Sequence, residues 1–255
     1  MSWLTSEESI QRYNEALRAA AEDDDAFEYF RRAPGIREIV EGVPTCVGRG
    51  YHDKLLAKLG EEALEFEWDK ITENDKHGNP ELLEVRVHRH AASTTMRYAW
   101  NVVDMDSRGV ALSGVDIVEV GGGYGGLCRM IHAYHKPRSY TIIDLPEALA
   151  LAERYLKCYG IETRMVSCDA YDEEPIDTFI SNYALTELTK DVQDGYANKL
   201  LKRSKFGYVT YNSQPRNASN QYSLTDLKTM APGISETYEE NVKRSECQVL
   251  VWRST

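Results

Sequence analysis

A chain of 255 residues has room for one large domain, or one domain and a cap, and an apolar fraction of 42% supports a real core and excludes wholesale disorder. A net charge of −11 excludes a general nucleic-acid binder, which needs cations to neutralise phosphates, and no apolar run approaches the ~20 residues of a membrane span. Five scattered cysteines without a C-x-x-C pair, behind an acidic N-terminus with no signal-type apolar stretch, read as reduced thiols of a cytoplasmic protein, with no disulfide frame and no zinc site.

Taken in order, Thr5-x-x-Glu8 is a capping box that opens a helix with Ile10, Tyr13, Leu17 and Ala20 on one face. Short helices are expected over Ala26–Arg32 and Ile36–Val40, with breaks at Pro34-Gly35, Gly42 to Pro44, and Gly48-Arg49-Gly50. A longer helix is expected over Asp53–Trp68, then a polar loop ending in Gly78-Asn79-Pro80. Periodicity leaves Val85 to His90 open between strand and helix; Ser93 is placed as an N-cap before a helix over Thr94–Asp106.

From Asp116 onward strands and helices alternate, the mark of a parallel α/β sheet. Strands are expected at Ile117–Val120, Tyr140–Ile143, Thr163–Ser167, Asp177–Asn182 and Phe206–Asn212. Helices are expected after the first strand, from Pro146, over Val192–Arg203 and over Leu224–Met230, with Gln214–Asn220 a loop. Ser235–Glu240 and Cys247–Trp252 read as a terminal strand pair, suited to an antiparallel edge. The fold expected is α/β: a Rossmann-like, mostly parallel sheet at 93–255 that holds the cofactor, behind an α-helical N-terminal cap at 1–92 that shapes the substrate region.

The stretch from Asp116 to Gly126 organises the rest. A buried strand ends in Glu119-Val120 and then in Gly121-Gly122-Gly123-Tyr124-Gly125-Gly126, followed by Leu127, Met130, Ile131 and Tyr134 at helical spacing. Glycines let a backbone turn sharply and approach a ligand, and the helix beyond offers free N–H groups and a positive dipole end. Gly121-x-Gly123-x-x-Gly126 fits the dinucleotide fingerprint, and Glu119-x-Gly121-x-Gly123-x-Gly125 fits the first motif of class I S-adenosylmethionine (SAM) methyltransferases. Asp144, with Leu145 beside it, ends the second strand some twenty residues on, where a carboxylate accepts ribose hydroxyls in either template. SAM is favoured by Glu119, an acid suited to the cationic methionine end, by Asp169-Ala170, placed to cap an adenine edge, and by a C-terminal hairpin that leaves no second mononucleotide half.

A family resemblance adds to this. Val118 to Leu127, the Asp144-Leu145-Pro146-Glu147 segment, Ile180 to Leu188 and Tyr208 to Asn212 resemble the corresponding motifs of sugar O-methyltransferases, over roughly Ser93 to Trp252. The resemblance implies methyl transfer from SAM to a hydroxyl of a sugar or sugar-containing small molecule. The first ninety residues carry no such likeness.

For that chemistry the cofactor candidates are Glu119, Gly121, Gly122, Gly123, Tyr124, Gly125, Asp144, Leu145, Asp169, Ala170 and Asn182, with Tyr124 expected to cover the methionine end. Tyr183 and Asn212, at the fourth and fifth strand ends, are the acceptor-side candidates. Glu187 is the first candidate for the base that takes the hydroxyl proton, and His88 and His90 are the second, since i and i+2 on a strand share a face. Arg97 is matched equally by the SAM carboxylate and by an acid across its helix. His132 and His135 sit late in the helix after the glycine loop, where its dipole accounts for them. No compact metal-ligand cluster is present and no metal is expected. Two other readings stay open: a nicotinamide-dependent oxidoreductase on the same loop, and a SAM-binding protein without turnover.

Overall fold

The computed structural model describes residues 7–86, 88–212, 221–240, 242 and 247–254. Thr5 of the capping box and the 214–220 loop lie outside them. Helix α1 (Glu7–Glu22) buries Tyr13, Leu17 and Ala20 at i, i+4 and i+7, while Ile10 stays 49% exposed. The expected second helix is a single turn, α2 (Asp24–Glu28), capped by the Asp23 carboxylate on the Ala26 N–H at 2.7 Å, and then a 3₁₀ turn at Phe30–Arg32. Helix α3 (Pro34–Ile39) follows.

Gly48-Arg49-Gly50 is not a break. It lies inside α4 (Thr45–Leu59), because Gly48 lets that helix press on Ser93: a Cβ at 48 would stand 2.4 Å from the Ser93 hydroxyl. The break falls at Gly60 (φ 83°), so the single helix expected over Asp53–Trp68 is α4 followed by α5 (Glu61–Thr72). The helical region also carries a hairpin, β1 (Leu82–Arg86) and β2 (Arg89–Ala92), which resolves the ambiguity around Val85. Ser93 is the first residue of α6 (Ser93–Ser107), with Ala92 at the N-cap position.

Then come β3 (Asp116–Val120), α7 (Gly126–Tyr134), β4 (Ser139–Asp144), α8 (Pro146–Lys157), β5 (Arg164–Ser167), β6 (Thr178–Asn182), α9 (Ala184–Glu187), α10 (Lys190–Lys199), β7 (Phe206–Tyr211), α11 (Leu224–Met230), β8 (Ile234–Glu239) and β9 (Gln248–Arg253). Helix α10 is shorter than the span expected over Val192–Arg203; its last turn is a separate 3₁₀ turn at Leu201–Arg203. The sheet order is β5-β4-β3-β6-β7-β9-β8, with β5 to β7 parallel and β9 and β8 antiparallel. The edge is locked where Gly207 faces Trp252: a Cβ at 207 would lie 2.1 Å from the indole, so only glycine leaves room for the buried ring. Strand order reverses between β3 and β6, which makes the carboxyl ends of β3, β4 and β6 a switch-point crevice.

The apolar core is continuous across the boundary expected at residues 92 and 93. Leu17, Phe30, Ile36 and Leu55 of the helical layer share one cluster with Tyr124, Ile142, Tyr155 and Ile180 of the sheet side. Arg154 of α8 donates to the Ala20, Ala21 and Asp23 carbonyls at the end of α1. Arg31 is fully buried between the layers, ion-paired to Glu41 (2.7 Å) and Asp75 (2.8 Å), with its guanidinium 5.2 Å from the Tyr124 ring centre. No helix among the described residues is long and apolar enough to cross a membrane.

Candidate functional site

The glycine loop leaves β3 in a left-handed conformation at Gly121 (φ 81°), Gly123 (φ 56°) and Gly125 (φ 87°). Gly121 is doubly constrained, since a Cβ there would also come 2.1 Å from that of Ala184 at the start of α9. The loop thus seats against the end of β6 and opens into the N-terminus of α7. Val40, beyond α3, faces Gly123: its methyls lie 3.6 and 3.7 Å from where a Cβ would stand. The helical layer therefore reaches the cofactor candidates as well as the acceptor side.

Asp144 ends β4 with both carboxylate oxygens engaged, Oδ2 by the Gly123 N–H and Oδ1 by the Leu145 N–H, each at 2.8 Å. Burial pushes its pKa up to about 6, against those two hydrogen bonds. A carboxylate has about four acceptor directions, so each oxygen keeps one for a ligand hydroxyl. Gly122 holds the loop over Glu119: a Cβ at 122 would meet Glu119 Oε2 at 3.3 Å. Glu119 is 3% exposed, accepts from the Tyr140 hydroxyl at 2.8 Å, and is pushed up to about 7 by burial. It supports the loop from below and does not face the crevice as an open acid.

Tyr124 departs from expectation. It turns back into the core, edge-on to Phe30 (5.2 Å) and Tyr155 (5.0 Å), and is 1% exposed. Its neighbours Gly123 and Gly125 give the chain the freedom to bury that ring, so it anchors the loop and covers nothing outside it. Asp169 and Ala170 form an exposed turn after β5, where the Asp169 N–H reaches the Ser167 hydroxyl at 3.4 Å.

At the other half of the crevice Tyr183 follows β6 with φ 69°, unusual for a bulky residue and typical of residues held by surrounding contacts at functional sites. Its N–H donates to the Thr210 carbonyl (3.0 Å) and its hydroxyl to Glu240 Oε1 (3.2 Å). The Tyr51 hydroxyl donates to the same carboxylate oxygen. Glu240 is 3% exposed, and burial holds the Tyr183 phenol above the ordinary tyrosine range. Asn182 Oδ1 accepts from Thr210, while Asn182 Nδ2 is buried without a hydrogen bond. Asn212 Nδ2 donates to Glu187 Oε1 at 3.3 Å, which brings those two candidates together. The Arg97 guanidinium lies between the rings of Tyr98 (5.5 Å) and Tyr183 (5.3 Å); one Nη donates to the Val40 carbonyl, and its Nε is buried without a partner. Between the two readings of Arg97, no salt bridge to an acid forms among the described residues.

The histidine pair does not assemble. His88 sits in the turn of the β1–β2 hairpin with φ 62°, its N–H on Glu84 Oε1, so strand alternation does not align it with His90, and both are exposed. His132 caps back on the Cys128 carbonyl at 2.8 Å and His135 meets Asp106 at 3.2 Å, both spent on structure. The sequence reading missed Glu240 and Tyr51. Glu240 reads as the last residue of an edge strand, and Tyr51 follows a Gly-Arg-Gly that reads as a break; only tertiary packing joins them.

No protein-family model matches the chain, and no curated protein sequence matches it. Among solved structures it is similar to an S-adenosylmethionine-dependent methyltransferase from Clostridium acetobutylicum ATCC 824, at 13% identity over 62% of this chain and 91% of that one, with a TM-score of 0.48. It is also similar to an rRNA methylase from Streptococcus thermophilus (16% identity, 60% and 93% covered, TM-score 0.44) and to Thermoplasma acidophilum 1320 (20%, 64% and 90%, TM-score 0.45). At these identities and TM-scores the likeness says nothing of an acceptor.

Proposed function

We propose that the chain is a SAM-dependent methyltransferase that moves the methyl group to a hydroxyl oxygen of a sugar or sugar-containing small molecule. The observation that carries the cofactor in this reading is Asp144, aimed by the Gly123 and Leu145 N–H groups at the switch point of a sheet whose last two positions are antiparallel, and the sugar hydroxyl rests on the resemblance of Ile180 to Leu188 and Tyr208 to Asn212. A dinucleotide fold would continue with parallel strands into a second mononucleotide half, and β9 and β8 take that space.

The polar groups left over fit the cofactor. Asp144 offers acceptors to the ribose hydroxyls, and the buried, unpartnered Arg97 Nε and Asn182 Nδ2 are donors in need of acceptors, as a methionine carboxylate and an adenosine supply. The Asp169-Ala170 turn flanks the adenine end. Bound SAM supplies the electrophilic methyl; the chain aligns the acceptor and removes its proton. Of the two carboxylates around Tyr183, Glu187 is proposed as the base. It is partly exposed with Asn212 orienting it, whereas Glu240 is buried beneath two phenols. Tyr183 and Asn212 form the acceptor wall.

Titration calorimetry of the full chain with S-adenosylhomocysteine and with NAD⁺ tests the cofactor. Binding of the first and none of the second is expected; tighter binding of NAD⁺ would overturn the proposal. 5′-Methylthioadenosine, which lacks the amino-acid end, is expected to bind more weakly than S-adenosylhomocysteine, and Arg97→Met to erase that difference.

A further inference from the structure

A hollow of 640 Å³ runs along the outer face of α4, lined by Thr45, Cys46, Arg49, Asp53, Lys54 and Val242. That volume lies within the range of small-molecule sites, about 300–1,000 Å³. It is separate from the glycine loop, and one residue joins it to the crevice. Glu240 receives Lys54 on its backbone carbonyl and the Tyr51 and Tyr183 hydroxyls on its carboxylate. Tyr51 and Lys54 lie on α4 and Tyr183 at the end of β6, so the hollow adjoins the acceptor side of the sheet.

The lining has a charge of its own. The whole chain carries −11, yet the hollow has two cations, Arg49 and Lys54, against Asp53 alone. Asp53 is exposed and faces His52 at 3.6 Å. Lys54 is half-buried: its ammonium rests 4.5 Å from the Trp100 ring centre and donates to a neutral carbonyl, and among the described residues it forms no salt bridge. Burial lowers its pKa, against the pull of Asp104 and Glu240. A desolvated ammonium without a paired carboxylate gains most from an anionic ligand that supplies one.

We infer that this hollow holds an anionic group of the acceptor, a carboxylate or a phosphate, which Lys54 and Arg49 read, while the acceptor's reacting hydroxyl lies at the wall of Tyr183 and Asn212. This rests on the methyltransferase reading and narrows its acceptor to acidic hydroxyl compounds.

The test uses the full chain saturated with S-adenosylhomocysteine and three probes: glucuronate, glucose 6-phosphate and glucose. At least one acidic probe is expected to bind about tenfold or more tighter than glucose, and the two acidic arms separate a carboxylate from a phosphate. Lys54→Met should remove that preference, Lys54→Arg should keep most of it, and Arg49→Met should reduce it, all with unchanged affinity for S-adenosylhomocysteine. Equal binding of glucose and the acids, no binding of any probe, or a preference that survives Lys54→Met would overturn the inference. Failure of S-adenosylhomocysteine to bind wild type would instead strike the methyltransferase reading, and the same titration reads it separately.

Discussion

The two halves of the crevice are built in different ways. The half formed by β3 and β4 is made by neighbours in sequence and by backbone: three left-handed glycines, two N–H groups on Asp144, and an acid beneath the loop. The half formed by β6 and β7 is assembled from side chains far apart in the chain, Tyr51, Arg97, Tyr183 and Glu240, around one buried carboxylate. Backbone geometry suits a constant ligand, and a side-chain assembly suits one that differs between proteins. Damage to the first half should strike cofactor binding and damage to the second should strike transfer, except at Arg97 and Asn182, whose unpartnered donors face the cofactor.

The largest effect is expected where the halves share a foundation. Arg31→Met leaves Glu41 and Asp75 buried without their cation and should cost about 3–5 kcal/mol, read by denaturant unfolding. Removal of residues 1–92 should go further and abolish cooperative unfolding, because the core of the sheet continues into the helical layer. A truncated chain that still unfolds cooperatively would show that the layers are separable.

Next is the pH dependence of the first half. The Glu119 carboxyl moves from an ordinary 4.5 to about 7 in the fold. Below the lower value both states are protonated and nothing is lost. As pH rises past it the unfolded chain ionises first, so the folded state loses stability up to about pH 7, by about 3 kcal/mol for that shift. Stability measured from pH 4.5 to 7 should fall accordingly, and Glu119→Gln should lessen the fall, leaving the part due to Asp144, whose carboxyl burial moves from 3.8 to about 6. An unchanged slope in that variant would place the titrating group elsewhere.

In the second half, Glu187→Gln should lower kcat about 10²–10⁴-fold with affinity for S-adenosylhomocysteine intact. His88→Asn and His90→Asn should leave kcat unaltered. A loss in the histidine variants with full activity in Glu187→Gln would move the base to the hairpin.

The same contrast sets what could be read from the sequence. The loop and Asp144 were legible because strand, glycine turn and strand-end acid are contiguous patterns, and the alternation after Asp116 named the parallel sheet and its antiparallel edge. Tyr124 misled because position in a loop says nothing of which way a ring turns; Phe30 and Tyr155, distant in sequence, decide that. Gly48 read as a breaker because its reason for being glycine is Ser93, which only helix packing brings near. Glu240 and Tyr51 were invisible for the same cause.

The smallest cost to stability comes with a complete loss of binding. Gly123→Val has room beside Val40, so it should cost only the strain of a left-handed β-branched residue, about 1–2 kcal/mol, while the ligand's approach to the loop is closed. Binding of S-adenosylhomocysteine should vanish with a modest fall in Tm.

The central claim is that SAM's ribose is held at the end of β4, and Asp144→Ala measured by calorimetry against S-adenosylhomocysteine tests it most directly. With the fold verified by circular dichroism, affinity should fall about ten- to a hundredfold, the loss of a charged hydrogen-bonding pair of acceptors. Unchanged affinity in that variant would contradict the account.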